Sequence, residues 1–131
     1  MNFTSIRLIT ADIKRLVPFY EQVTGMPAIH YTDDFAEVRM PSITLAIGSI
    51  RTMQLFGEVA YASGNKSVII EFRVNDVDAE YEKLSEEIVV IQKPTTMPWG
   101  NRSLLFQDPD GNLINFFAPV TAEALSRFDG R

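Results

Sequence analysis

The chain has 131 residues and a formal net charge of −5, from 12 Lys and Arg against 17 Asp and Glu. Its length and its 46% hydrophobic content indicate one folded globular domain, and its acidic balance argues against a nucleic-acid partner, which needs a basic face. With no cysteine and a single histidine, His30, the chain can form neither a disulfide, nor a thiolate metal site, nor a site with two histidines of its own.

The first half of the chain predicts a strand, a helix and three short strands. Ile6–Ala11 is predicted as the strand, and a helix from Asp12 to Thr24 follows, because apolar side chains recur there at helical spacing. The Asp12 carboxylate is expected to accept from free N–H groups of the first turn. Pro18 is expected in the first regular turn, after a looser start. The strands that follow are Ala28–Tyr31, Phe35–Met40 and Ile43–Ile47.

The second half predicts the same order of elements. Val68–Asn75 is predicted as a strand, and Asp76 is suited to begin a helix that runs to about Glu87. The segment Asp108-Pro109-Asp110-Gly111 has the residues of a tight hairpin turn. The three predicted strands are Val89–Gln92, Ser103–Gln107 and Leu113–Phe117.

The two halves therefore form a repeat of βαβββ modules, and the predicted fold class is α+β. The helix-opening residues Asp12 and Asp76 are separated by 64 positions, nearly half the chain. A short helix, Ala122–Phe128, is predicted after the second module, with Thr121 as its cap. Within one domain, 1–131, the predicted boundaries are about 1–50 for module one, 51–66 for the connection, 67–119 for module two and 120–131 for the C-terminal tail.

Two stretches resemble the vicinal oxygen chelate superfamily, which includes glyoxalase I, extradiol dioxygenases, and fosfomycin and bleomycin resistance proteins. The resemblance covers nearly the whole chain and implies a curved, mixed, mostly antiparallel sheet around a cleft, and a homodimer. The stretches are Pro98–Pro119, with two strands around Asp108-Pro109-Asp110-Gly111-Asn112, and Leu8-Ile9-Thr10-Ala11-Asp12, followed by Phe19-Tyr20 and Gly25.

The resemblance also places metal ligands, and this chain departs from that pattern. Metal-binding members supply ligands from an early residue of each module's first strand and from each module's last strand. Those positions hold Ser5 and Ile69 on the first strands and Asn115 on the last strand of module two, while Ser42–Ile47 of module one has no carboxylate. Because a divalent ion needs anionic or imidazole ligands to offset its dehydration, we expect no metal and no cofactor. The chain is most similar in character to metal-free members of the bleomycin-resistance type.

Strand alternation predicts which side chains face the cleft. If Ser5 and Ile69 face it, so do other residues two and four positions along each strand. The predicted ligand-binding residues from these strands and the last strand are Arg7, Glu71, Arg73, Asn115 and Phe117. Two residues of the segment before the final hairpin, Trp99 and Arg102, are added to them.

Several of these residues have an alternative structural interpretation. Arg7 and Glu71, equivalent positions of the two modules, could form an ion pair that closes the sheet instead of binding a ligand. Trp99 could cover an edge of the core or pack at a dimer interface. Arg102 is compatible with bidentate recognition of a carboxylate or phosphate, and equally with a solvated loop arginine.

The predicted function is a metal-independent, small-molecule-binding protein that holds an aromatic or amphipathic ligand. One alternative is a lyase or dioxygenase of the same superfamily with shifted metal ligands such as Glu71, Glu37 or His30, although a lone histidine before a polar turn is more typical of a surface position. The other is a metal-free enzyme with Glu71 as a general base, poised by burial near Arg7.

No apolar run approaches a membrane span and Met1–Ser5 lacks signal-peptide features, so a cytoplasmic protein without a membrane partner is expected.

Overall fold

The computed structural model describes residues 1–57 and 61–128, and it divides into two compact units between Gly64 and Asn65. This division falls inside the predicted connection, 51–66. Residues 58–60 of that connection and residues 129–131 of the predicted tail lie outside the described residues.

Unit 1 contains a four-stranded sheet and one α-helix. The strand order is β1-β4-β3-β2, with β1 and β4 parallel and the other two pairs antiparallel. A 3-10 helix, Ile50–Phe56, follows the last strand in a region that the sequence predicted only as a connection. The elements are β1 (Ser5–Thr10), α1 (Ile13–Thr24), β2 (Ile29–Thr32), β3 (Phe35–Arg39) and β4 (Thr44–Ser49).

Unit 2 repeats this topology and adds a C-terminal helix. Its strand order is β5-β8-β7-β6, again with one parallel pair, β5 and β8, and two antiparallel pairs. The α+β class and the two βαβββ modules with mixed, mostly antiparallel sheets are confirmed. Among the described residues, no helix is long and apolar enough to span a membrane. The elements are β5 (Ile69–Arg73), α2 (Val77–Leu84), β6 (Val89–Thr96), β7 (Asn101–Gln107), β8 (Leu113–Pro119) and α3 (Ala122–Phe128).

The two equivalent helices begin differently, which corrects one expectation. Asp76 caps α2 as predicted, since its Oδ1 accepts from the backbone N–H of Ala79 at 3.1 Å. The side chain of Asp12 makes no capping hydrogen bond to α1. The Asp12 backbone N–H instead donates to Oγ1 of Thr10 at 3.0 Å, so the preceding strand holds the start of α1. Pro18 lies inside α1 rather than in its first turn. It is on the exposed side of the helix, where water can hydrogen bond to the backbone carbonyl that has lost its N–H donor because proline has none.

The core of each unit lies between one face of its sheet and its helix. In unit 2, the ring of Phe116 packs edge-on against the rings of Phe106 and Phe72, with centroids 5.0 Å and 5.7 Å away. In unit 1, Leu8 and Thr10 are buried while the intervening strand residues are less so, which confirms the predicted alternation. The buried side chains of α1 are Leu16, Val17, Tyr20 and Val23, and those of its sheet include Ala36, Val38, Leu45 and Ile47. The other face of each sheet points away from α1 in unit 1 and away from α2 in unit 2.

A buried polar network holds the final hairpin of unit 2. Oδ1 of Asp108 accepts from the backbone N–H groups of Asp110 and Asn112, each at 2.9 Å, and its Oδ2 accepts from Nδ2 of Asn112 at 2.7 Å. Oδ1 of Asn112 accepts from the backbone N–H of Asn65 at 3.1 Å and from its Nδ2 at 2.8 Å. The predicted tight turn is thus present, and it is joined to the first residue of its own unit.

Candidate functional site

The exposed face of the unit 2 sheet brings four of the predicted ligand-binding residues together. The parallel pairing of β5 with β8 sets Glu71 beside Asn115 and Arg73 beside Phe117. Their strand neighbours Ile70 and Phe116 are buried on the other face, toward α2. We name the four residues Glu71, Arg73, Asn115 and Phe117 the β5/β8 surface.

Glu71 and Asn115 form the polar part of the β5/β8 surface. Nδ2 of Asn115 donates to Oε2 of Glu71 at 2.9 Å. Oδ1 of Asn115 is buried and has no hydrogen-bond partner among the described residues. The amide therefore points its donor at the carboxylate, and the exposed Glu71 carboxylate keeps further acceptor capacity, so this part of the surface suits a ligand that donates hydrogen bonds.

Arg73 and Phe117 form the aromatic part of the same surface, together with α3. The Arg73 guanidinium carbon lies 5.2 Å from the ring centroid of Phe128, and that ring lies 5.5 Å from the ring of Phe117, which is buried. The sequence predicted Phe128 as the end of the C-terminal helix but not as part of the site. Because it is 11 residues beyond Phe117 on a different element, only its apolar character on a short helix pointed to it.

Trp99 and Arg102 lie elsewhere in unit 2. The indole of Trp99 is 59% exposed in the turn between β6 and β7, and its backbone carbonyl accepts from the guanidinium of Arg127 on α3. Arg102 pairs with Ala118, which places it on the helix side of the sheet, away from the β5/β8 surface.

The guanidinium of Arg102 is already engaged. Its Nε and Nη2 donate to the two carboxylate oxygens of Asp78 on α2, each at 2.9 Å. This bidentate contact holds the pKa of the Asp78 carboxyl below its ordinary value. The structure therefore does not bring Arg102 together with the other predicted ligand-binding residues.

Arg7 occupies the equivalent exposed face of unit 1. Its guanidinium carbon lies 5.0 Å from the ring centroid of Phe35 on β3 and 5.9 Å from that of Phe56 at the end of the 3-10 helix. The side chain thus lies beside rings of its own unit, as Glu71 is hydrogen bonded within its own unit. Strand alternation predicted Arg7 on this face but did not predict that Phe35 and Phe56 lie beside it.

Three further polar side chains share that face of unit 1. The hydroxyl of Tyr31 donates to Oε1 of Glu37 at 2.9 Å, and Arg39 donates both to that hydroxyl, at 2.9 Å, and to Oε1 of Glu37, at 3.2 Å. The hydrogen bond to Glu37 raises the pKa of the Tyr31 hydroxyl. Glu37, a candidate shifted metal ligand, therefore has its carboxylate engaged by two donors. Alternation along the two neighbouring strands was the pattern that could have grouped Tyr31 and Arg39 with it.

His30, another candidate for a shifted metal site, lies on the opposite face of β2 from Tyr31. It is exposed and pairs with Ala36, whose side chain is buried. His30 contributes to an open groove of about 500 Å³ between β2 and α1, whose apolar wall is formed by Ile13, Val17 and Pro18.

The residues at the four implied metal-ligand positions do not fit a metal ion. Ser5 and Asn115 offer only neutral oxygens, and Ile69 offers no donor atom. The strand register now identifies the fourth position, because Arg7 pairs with Ala46 in unit 1 as Glu71 pairs with Asn115 in unit 2. Among the described residues, no cluster of three or more His, Asp or Glu side chains could hold a metal.

Comparison with protein families gives one match across most of the chain. Residues 2–116 match the Glyoxalase/Bleomycin resistance protein/Dioxygenase superfamily. An uncharacterized protein of Bacillus subtilis, YraH, is 30% identical over 125 residues, which is 89% of this chain and 98% of that protein. A bleomycin resistance protein of Geobacillus stearothermophilus is 27% identical over 126 residues, which is 86% of this chain and 93% of that protein.

Solved structures agree with these matches at the level of the fold. A glyoxalase/bleomycin resistance protein/dioxygenase from Nocardioides superposes with a TM-score of 0.79 at 24% identity, covering 93% of this chain and 85% of that one. A glyoxalase-related enzyme from Fulvimarina pelagi superposes with a TM-score of 0.78 at 20% identity, covering 94% of each chain. At these identities the likeness supports the fold alone.

Proposed function

The chain belongs to the Glyoxalase/Bleomycin resistance protein/Dioxygenase superfamily, and from that premise we propose that it binds a small aromatic or amphipathic molecule without a metal ion. The observation that carries the proposal is the β5/β8 surface, where the exposed carboxylate of Glu71 shares a sheet face with the Arg73 guanidinium, which lies beside the ring of Phe128. Ligand sites commonly combine apolar and aromatic side chains with a few fixed polar groups, and this surface has that composition.

Metal independence is supported by the chemistry of the residues at the four ligand positions. Ser5, Ala46, Ile69 and Asn115 together supply no charge that would offset dehydration of a divalent ion. The test is elemental analysis of protein purified without chelator. Stoichiometric zinc, iron, manganese or nickel that protein side chains coordinate would contradict the proposal and favour a metal-dependent lyase or dioxygenase.

Ligand binding is a better account of this surface than the alternative, in which Glu71 acts as the general base of a metal-free enzyme. That alternative required burial of the carboxylate, because desolvation is the usual way to make a carboxylate a stronger base. Glu71 is instead exposed, and Asn115 donates a hydrogen bond to it. We therefore assign Glu71 to ligand recognition.

The relatives named bleomycin resistance proteins make bleomycin the first ligand to test. Thermal unfolding would be followed with bleomycin and with a panel of simpler aromatic amines. A ligand at 100 times its dissociation constant adds about 2.7 kcal/mol of stability, which is readily measured.

Glu71→Gln should weaken binding of a hydrogen-bond-donating ligand by about tenfold or more. The matched control is Glu82→Gln, an exposed carboxylate on α2. Equal affinity of both variants would remove the β5/β8 surface from the proposal.

We also propose that the protein works as a homodimer in the cytoplasm. The proposal is supported by large apolar side chains on the unit 2 strands and turn that stay exposed in one chain, including Ile69 at 48%, Val89 at 59% and Trp99 at 59%. Sedimentation at micromolar concentration should give a dimer, whereas a monomer there would contradict it.

A further inference from the structure

We infer that Arg7 forms an anion subsite, which takes the carboxylate or phosphate group of a ligand with an aromatic body. The inference deepens the proposed function and rests on it, because Arg7 would recognise one end of the bound molecule. It concerns unit 1 alone, where Arg7 lies on an exposed sheet face with Phe35 and Phe56 beside its guanidinium.

Arg7 differs from two other arginines of unit 1, which pair with carboxylates. Nε of Arg39 donates to the Glu37 carboxylate at 3.2 Å, and Nε of Arg51 donates to Oδ1 of Asp34 at 2.8 Å. Within the described part of unit 1, Arg7 has no carboxylate partner, although acidic residues outnumber basic ones by 17 to 12 in the chain. Its guanidinium is therefore placed to take an anion from a ligand.

The Arg7 guanidinium lies beside two phenyl rings and still has N–H groups to offer. A cation–π contact of this kind attracts the guanidinium to a ring without a conventional hydrogen-bond acceptor, so it does not use up the five N–H donors. Those N–H groups match the two oxygens of a carboxylate or phosphate in a bidentate contact. The ring of Phe56 is 54% exposed, so an aromatic ligand body can contact it while its anionic group pairs with Arg7.

Small residues of β4 lie beside the Arg7 side chain. Its register partner is Ala46, and Gly48 lies two positions farther along β4. A Cβ on Gly48 would lie at an ordinary contact distance of 3.6 Å from Cδ of Arg7, but only 2.9 Å from Oγ1 of Thr52. Thr52 cannot easily yield, because that Oγ1 donates to the backbone carbonyl of Ser49 at 2.7 Å. Glycine at position 48 therefore preserves the turn that begins the 3-10 helix, the element that carries Phe56 to Arg7.

The experiment is an NMR titration of the full chain, which reports on each arginine Nε–H group separately. The anionic probes are benzoate and phenyl phosphate, and the uncharged and cationic comparisons are benzamide and benzylammonium. Benzoate or phenyl phosphate should shift the Nε–H signal of Arg7 saturably and leave those of Arg39 and Arg51 in place. Inorganic phosphate and acetate should bind more weakly, because they lack the aromatic body.

Variants separate a binding role from a structural one. Arg7→Gln should weaken benzoate binding about tenfold or more, and Phe56→Leu should weaken it less while the Arg7 signal still responds. The matched control, Arg51→Gln, removes an exposed arginine that has a carboxylate partner and should bind benzoate as the native protein does. Dispersed amide spectra of each variant establish that it is folded.

The outcomes distinguish this inference from the proposed function. If benzamide binds as well as benzoate, or if Arg7→Gln binds benzoate undiminished, the inference is overturned. If bleomycin or an aromatic amine shifts the amide signals of Glu71 and Asn115 while no anion shifts the Arg7 signal, the inference fails and the proposed function stands. If no compound shifts any of these signals, both fail.

Discussion

Asn115 donates a hydrogen bond through its side-chain amide to the carboxylate of Glu71, 44 residues earlier in the chain, at an Nδ2–Oε2 distance of 2.9 Å. The two residues are direct partners in the parallel pairing of β5 and β8. This contact fixes one carboxylate oxygen and leaves the amide oxygen of Asn115 facing no donor among the described residues. It defines the polar part of the β5/β8 surface.

We predict that Glu71 and Asn115 are energetically coupled. In a double-mutant cycle of Glu71→Ala and Asn115→Ala, the coupling in the free energy of unfolding should be about 0.5–1 kcal/mol, since the pair is charge-assisted but exposed. Urea unfolding of the four proteins measures it. A cycle of Glu71→Ala with Asn75→Ala, an exposed residue between β5 and α2, should give a coupling near zero. A coupling near zero in the first cycle would show that the hydrogen bond does not hold Glu71 in solution.

Gly100→Ala should destabilise the protein by about 2–4 kcal/mol. Gly100 has a φ of +91°, and a Cβ there would lie 2.2 Å from Oγ1 of Thr121 and 2.9 Å from Cβ of Ala124. The substitution therefore adds a clash with α3 to the backbone strain. Gly25→Ala is the control, because Gly25 also has a positive φ, +70°, but has nothing within 4 Å of its Cβ position. It should cost about 1 kcal/mol, and equal losses in thermal unfolding would contradict the role of the α3 contact.

Asn112→Ala should destabilise the protein by about 2–3 kcal/mol, because Asn112 is 3% exposed and the substitution removes a hydrogen-bond donor from the buried carboxylate of Asp108 and an acceptor from Asn65. The affected partners are Asp108 and Asn65. Asn75→Ala, at an exposed position, should change the free energy of unfolding by less than about 0.5 kcal/mol. A loss for Asn112→Ala as small as that of the control would mean that the hairpin does not depend on this network.

The Asp78–Arg102 pair predicts a loss of stability in acid. Arg102 lowers the pKa of Asp78 in the folded state below its ordinary value of 3.8, so the folded protein favours the ionised carboxylate. This contribution is fully present above the unfolded pKa and is lost as the pH falls through the folded pKa. Because the carboxylate is 57% exposed, salt should reduce the effect. Carboxyl NMR titration measures the folded pKa, and Arg102→Gln should raise it toward 3.8. An unchanged pKa in that variant would contradict the assignment.

Ile69→His should not create a tight metal site. The variant adds one imidazole beside Leu113, and the one carboxylate of the β5/β8 surface, Glu71, lies two positions along the strand, so at most two such ligands would be present where zinc sites use three or four. Zinc titration of Ile69→His should therefore give no stoichiometric complex at micromolar concentration. Ile91→His, at another exposed strand position of unit 2, is the matched control for nonspecific binding by an added histidine. Stoichiometric zinc bound by Ile69→His alone would show that other ligands are at hand and would revive the metal-dependent alternative.

The sequence alone determined the order of the α-helices and strands and the buried face of β1, β5 and β8. These properties follow from local patterns, such as the alternation around Leu8 and Thr10 or the helical spacing of Leu16 and Tyr20, and each needs only a few consecutive residues. The repeat of the βαβββ order and the Asp108–Gly111 turn were equally local. Local pattern was ambiguous at the start of α1, where two side chains, Thr10 and Asp12, can accept hydrogen bonds from backbone N–H groups. The hydroxyl of Thr10 accepts there and the carboxylate of Asp12 does not, so the cap at Asp12 was predicted wrongly and the cap at Asp76 correctly.

Only the tertiary structure decided which side chains meet on those faces. Alternation selected Arg7, Glu71, Asn115 and Phe117, but it could not supply the register that pairs Glu71 with Asn115 and Arg7 with Ala46. Nor could it separate Arg102 from this group, because its partner, Asp78, lies on a helix 24 residues away. The rings of Phe56 and Phe128 reach Arg7 and Arg73 from helices that follow the strands. A period of two fixes the face on which a side chain lies, whereas its partners depend on strand order, register and helix packing, which arise from contacts distant in sequence.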